Sequence, residues 1–188
     1  MKRPRSAFQT SLDYVYESRL FILSALGLFF FSALFSFLFP SLFSALDETL
    51  RELALKAEGL TGFQLFVFIF HNNLTSSFFA LFLGVFLGIF PFFNALLNGA
   101  VLGYVVSRVV PLAGVGTLWR LLPHGIFELP AIFISIGLGI KLGFSIFSPT
   151  RMRTFSSRFA HSLRAFLYII LPLLLIAALI EALLIALF

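Results

Sequence analysis

A histidine and a glutamate set inside an apolar segment are the residues of this chain best placed to do chemistry. The stretch Leu121-Leu122-Pro123-His124-Gly125-Ile126-Phe127-Glu128-Leu129-Pro130-Ala131-Ile132 holds His124 and Glu128 four residues apart. On a helix that spacing puts both on one face, a turn apart. Pro123 suits the first turn of a helix, where its missing N–H is not needed. Pro130 falls inside the helix, so the Ile126 carbonyl loses its donor and is left as a free acceptor near Glu128. An ionisable pair and a freed carbonyl are costly in hydrocarbon, and such positions are read as functional by default. The chemistry open to them is proton exchange, cation coordination or hydrogen bonding to a polar solute.

Other polar residues extend the set. Glu181 is a second acid within an apolar stretch, and His71, Asn72 and Asn73 interrupt another. Asn94 and Asn98 again lie four apart. A bundle that brings the ends of these stretches together would converge His71, Asn73, His124, Glu128 and Glu181 in its outer half, with Asn98 deeper. A bland account competes at each position. Asparagines in spans commonly bond neighbouring helices, at roughly 1 kcal/mol each. His124 can cap a helix start at the wet interface, and Glu181 can be a near-surface acid. Glu128 needs His124, Arg120, water or the free carbonyl as a partner, because a buried carboxylate alone is expensive. His124, Glu128, His71 and Glu181 could also hold zinc with one open position. The spacing lacks the HExxH pattern, however, and the two histidines come from different segments. The sequence holds no cysteine, so thiolate sites, disulfides and a cysteine nucleophile are excluded. An enzyme is not expected, nor a cofactor, and the metal question stays open.

The elements that must position these residues are membrane spans. Hydrophobic residues make up 60% of the chain and charged residues 11%, more apolar surface than a soluble domain of 188 residues can hide. The partner is therefore the lipid bilayer. The net charge of +5 sits beside the spans, so it speaks for topology and not for nucleic acid.

Residues 1–19 are polar and basic, with Phe8, Leu12, Val15 and Tyr16 at helical spacing, which predicts an amphipathic surface segment. The apolar run that follows is too long for a signal peptide and has no small-x-small site, so it reads as an uncleaved anchor. Spans are expected at about 20–39, 63–90, 92–110, 123–147 and 165–188, each long enough at 1.5 Å per residue. Residues 41–59 set Leu42, Leu46, Leu50, Leu53 and Ala57 against Asp47, Glu48, Arg51, Glu52, Lys56 and Glu58, a second surface helix ended by Gly59. Residues 63–93 exceed one span and fall short of two, so either one long tilted helix runs through or, with an interruption at His71-Asn72-Asn73, a partly embedded first section leads into a span near Leu74–Phe90, and Pro91 suggests a tight turn. Residues 148–164 read as a basic loop containing Arg151, Arg153, Arg158 and Arg164, and Lys141 can snorkel toward it. Gly84 with Gly88, Gly99 with Gly103, and Gly139 with Gly143 give three GxxxG spacings that allow close helix approach, within the bundle or in a homo-oligomer. Four basic residues in each of the segments 1–19 and 148–164 place both in the cytoplasm. The chain is then a multi-pass protein of the cell membrane, with the C-terminus and the 41–59 helix outside.

Several of these pieces together resemble the stage II sporulation protein M family. They are Asn72-Asn73, Gly84 with Gly88, Asn98-Gly99 with Gly103, Leu122-Pro123-His124-Gly125 running into Glu128-Leu129-Pro130-Ala131, then Gly137, Gly139 and Gly143, and Glu181-Ala182. The resemblance covers nearly the whole chain. It implies a multi-pass architecture. It also implies, as an expectation, a place beside cell-envelope partners, since the member in spore formers belongs to a septal complex with peptidoglycan-degrading proteins.

Two functions follow. The leading one is an ion, proton or small-solute pathway centred on Glu128, with His124 as partner or gate, Glu181 as second acid, and His71, Asn73 and Asn98 along the route. The alternative is a non-catalytic membrane scaffold that holds an extracytoplasmic or envelope-remodelling complex through its spans and the 41–59 helix.

Overall fold

The computed structural model describes residues 6–116 and 122–187, with backbone alone at 122–124 and 186–187. Arg120 and the side chain of His124, both invoked above, thus lie outside the described residues. The elements run α1 (Ala7–Glu17), α2 (Arg19–Leu38), α3 (Leu46–Ala57), α4 (Phe63–Phe82), α5 (Ile89–Ala113), α6 (Leu122–Gly143), α7 (Arg151–Ala165) and α8 (Leu171–Leu187), with no strand among the described residues. Five helices are long and apolar enough to cross a membrane: α2, α4, α5, α6 and the run from Arg151 to Ile185 that contains α8. The protein is an all-α membrane bundle.

The centre of the bundle is α6. It packs on α2, α4, α5 and α8. Buried residues fill 72% of its most apolar window, against 22–33% in the other four spans. The others therefore present their phenylalanines outward. Phe31, Phe63 and Phe93 are among the most exposed, as lipid-facing bulk should be.

Glycines set how close the helices come. A side chain at Gly99 would strike the Phe29 carbonyl of α2, and one at Gly103 the Ala33 carbonyl. Gly84, Gly139 and Gly143 likewise meet backbone, Gly84 against Gly139 and Gly143 against Gly84 and Gly88. Gly137 admits the Ile22 backbone. Each contact joins two segments of the same chain.

Amphipathic helices cover both ends. At one end α1 packs against α7, so the two basic segments lie together. Ser6 caps α1 in a reciprocal arrangement with Gln9: the Gln9 N–H donates to Ser6 Oγ at 3.2 Å and the Ser6 N–H to Gln9 Oε1 at 3.1 Å. At the other end lies α3, none of whose residues is buried. It is tied to α5 by Arg108 and Asp47, 3.2 Å apart.

Several boundaries differ from the sequence reading. The 41–59 helix begins only at Leu46, after a 3₁₀ turn at Pro40–Phe43, and Leu42 is exposed outside the stripe. The stretch 63–93 is neither one long helix nor interrupted at His71-Asn72-Asn73: α4 runs unbroken from Phe63 to Phe82 and the break follows it. A 3₁₀ turn at Leu83–Val85 is followed by Leu87 at φ 58° and Gly88 at φ 73°, which reverse the chain. Pro91 does not make that turn; it sits buried in the first turn of α5, where its missing N–H costs nothing. Hence the second span ends near residue 85 and the third starts at Ile89, with Pro111 still inside its last turn. The basic segment 148–164 is no loop. From Arg151 it forms α7, which passes through a π-helical collar at Phe166–Ile170 directly into α8. Its four arginines gave it a polar look, yet it has helical periodicity throughout.

Candidate functional site

Glu128 and Glu181 come together across the α6–α8 contact. Glu128 lies six residues into α6, and Glu181 is the charged group whose field it feels. Both side chains are half-buried. Helix α8 can approach because Ala177, Ala178 and Ala182 give it a small-residue face; Ala178 and Ala182 pack with Leu65 and Ile69 of α4. Below, Ala131 and Leu138 of α6 meet Ile170 and Leu174. Two carboxyl groups on facing helices in apolar surroundings repel when both are charged. A shared proton or a small cation between them relieves that repulsion.

Asn73 is half-buried on the inner stripe of α4, which runs Leu65, Ile69, Asn73, Ser77. Since Gly139 packs on Ala80, Ser135 one turn earlier on α6 lies level with Ser76 and Ser77. The hydroxyls of Ser77 and Ser135 are both buried without a protein partner among the described residues. The α4–α6 seam therefore carries polar groups at successive levels down from Glu128. It closes where Gly84 and Gly139 bring backbone against backbone.

His71 does not join this set. It is exposed, on an outward apolar groove with Phe63, Gln64, Val67 and Phe68. The physical reason is phase: His71 is two residues from both Ile69 and Asn73, about 200° around the helix from the buried stripe. Asn98 is also separate. Its amide donates to the Asn94 carbonyl at 2.9 Å and to Asn94 Oδ1 at 3.1 Å, while Asn94 Nδ2 reaches Ser76 Oγ at 3.4 Å. The asparagines thus tie α5 to itself and to α4. Among the described residues no group of three or more His, Cys, Asp or Glu side chains could hold a metal ion.

A second polar set, unforeseen in the sequence, lies at the end covered by α1 and α7. Lys141 Nζ donates to Ser18 Oγ at 2.7 Å and sits 3.9 Å from the centre of the Tyr14 ring. Arg158 Nη1 donates to the Lys141 carbonyl at 2.5 Å. Tyr14 is buried, with its hydroxyl 3.4 Å from Ser162 Oγ and from the Arg158 carbonyl. Burial pushes the Tyr14 phenol above its ordinary pKa, Glu17 adds to this, and the Ser162 hydrogen bond and Arg158 charge oppose it. The only sequence signal is a lysine late in α6 beside a basic segment; the partners of its ammonium group, Ser18 and Tyr14, are over a hundred residues away.

The model of the family described as stage II sporulation protein M matches residues 21–184. The chain belongs to that family. The match begins in α2 and ends in α8, so it includes every spanning helix, the acid pair and all three glycine pairs. Neither the curated proteins nor the solved structures contain a match to this chain.

Proposed function

We propose that this stage II sporulation protein M family member moves a proton or small cation, with Glu128 and Glu181 as the exchanging pair. The observation that carries the reading is their meeting across α6 and α8, in the most enclosed span of the bundle. Two facing acids form a site whose charge changes by one when a proton or monovalent cation enters. Asn73 and the hydroxyls of Ser77 and Ser135 supply polar steps along the α4–α6 seam. Pro130 supports the same reading, because it leaves the Ile126 carbonyl without a helical donor near Glu128. His124 lies one turn before Glu128 in the sequence and is assigned as its partner or gate. A route along this seam has to open at the Gly84–Gly139 contact. Orientation follows the basic residues: the α1–α7 end is assigned to the cytoplasm and α3 with the C-terminus to the outer face.

Flux in vesicles tests this reading. The purified chain is placed in liposomes holding a pH-sensitive dye and given a proton or sodium gradient. Wild-type flux above that of empty liposomes, lost in Glu128→Gln and reduced in Glu181→Gln, is expected. Flux equal to that of empty liposomes, or unchanged in both variants, sinks the proposal.

A second reading is a scaffold for a membrane or cell-envelope partner. It is favoured by α3, an amphipathic helix with no buried residue whose charged face includes Glu48 and Glu52. It predicts stoichiometric co-purification of a partner that is lost in Glu48→Lys/Glu52→Lys. A preparation free of partners, with or without those substitutions, counts against it.

A further inference from the structure

The pocket between α6 and α7, floored by Tyr14 of α1, has a chemistry unlike the rest of the bundle. It is an open depression of about 390 Å³ lined by Lys141, Arg153 and Arg158 together with the hydroxyls of Thr150 and Ser157. None of the three cations forms a salt bridge with a carboxylate among the described residues. No carboxylate lines the pocket, although the charge of Glu17 on α1 reaches Lys141 and Tyr14. Three cations and no carboxylate in its lining make the pocket wall basic.

The cations are held, not dangling. Lys141 is fixed by Ser18 and by the Tyr14 ring, and Arg158 is fixed on one edge by the Lys141 carbonyl and by Ser145 Oγ at 3.4 Å. That contact uses Nη1 and leaves the rest of the guanidinium fork for another acceptor. Arg153 is exposed and makes no hydrogen bond to a described residue, so it can fold over an occupant. Fixed cations with hydroxyl donors, at the mouth of a membrane bundle, match the oxygens of a phosphate. Pockets of this kind between spanning helices take anionic headgroups. The level is right as well: exposed Phe144 and Phe147, in the 3₁₀ turn that ends α6, mark where lipid contact begins.

We propose that this pocket binds a phosphate group, presented by the headgroup of an anionic phospholipid. The inference does not depend on the proposed ion pathway.

The test uses the full chain in nanodiscs of phosphatidylcholine, with phosphatidylglycerol or cardiolipin titrated in, and reads the thermal midpoint. A saturable rise is expected. Arg153→Gln, a change at an exposed side chain, should weaken the apparent affinity about fivefold, the effect of one lost cation near a membrane surface. Arg164→Gln, equally basic and exposed on α7 but outside the pocket, should leave it unchanged. Inorganic phosphate at millimolar concentration in phosphatidylcholine discs separates the sources. No rise with phosphate alongside a rise with lipid supports the headgroup. A rise with phosphate and none with lipid overturns the headgroup and assigns a soluble phosphate compound. No rise with either, or an equal loss in Arg164→Gln, overturns the site.

Discussion

The Ser36 hydroxyl donates to the Ala100 carbonyl at 2.6 Å, and one turn away Ser32 does the same to Leu96, also at 2.6 Å. These two bonds join α2 to α5 beside the places where Gly99 and Gly103 meet Phe29 and Ala33. The two helices run in the same direction, so both pairs repeat with a four-residue step. Hydrogen bonds and close packing thus fix one register together. Gly103→Leu should separate the helices and cost about 1–3 kcal/mol as an overpacking change. Ser36→Ala should cost roughly 1 kcal/mol. Unfolding of the variants in bilayer discs checks both, and a Gly103→Leu protein as stable as wild type would refute the packing role.

Glu128 and Glu181 should show coupling. Removing either charge relieves repulsion in the other, so the second substitution has less left to relieve. In a cycle of Glu128→Gln, Glu181→Gln and the double variant, a coupling of at least about 0.5 kcal/mol is expected at neutral pH. Simple additivity in thermal unfolding would show that the two carboxyls do not interact.

Tyr14 predicts an alkaline limit to the docking of α1. Its phenol binds its proton more tightly in the folded protein than in the unfolded chain. Above a pH of about 10, the ordinary tyrosine value, the unfolded chain loses the proton first. The folded state then loses stability as pH rises toward the raised folded value, while below about 10 the contribution is intact. Protection of α1 from proteolysis should therefore fall in this window. In Tyr14→Phe the fall should be absent, and a Tyr14→Phe protein with the same alkaline profile would assign it to another group.

Leu87 adopts a left-handed backbone at φ 58°, where a side chain is strained, and its own side chain is half out in lipid. Leu87→Gly should raise stability by up to about 1 kcal/mol. Gly88→Ala, at φ 73° and beside the Ile140 backbone, should lower it. The melting temperatures of the pair decide this, since opposite signs are required.

Long-period features were legible in the sequence and pairing was not. The apolar stretches mark all five spanning helices, because a bilayer imposes a length that composition alone reveals. The Gly59 stop of α3 was also readable, and it has φ 78°. Chain reversal at Leu87 was missed, since leucine carries no turn signal and Pro91 nearby carries a false one. His71 was grouped with Glu128 by depth, which sequence approximates, whereas its facing depends on helical phase. Lys141 was assigned to snorkel alone because Ser18 and Tyr14 are remote in the chain. The similar depth of Glu128 and Glu181 is legible, since both lie a turn or two from span ends on the same side.

The unbroken run from Arg151 to Ile185 has a mechanical meaning. Its 35 residues extend about 50 Å, well beyond a hydrocarbon core of about 30 Å. It is a lever with its handle among the arginines and its tip at Glu181. Handle and tip are joined through one collar, the π-helical turn at Phe166–Ile170, a kind of turn frequent at functional sites. The basic end and the acid end are thus two ends of one continuous beam.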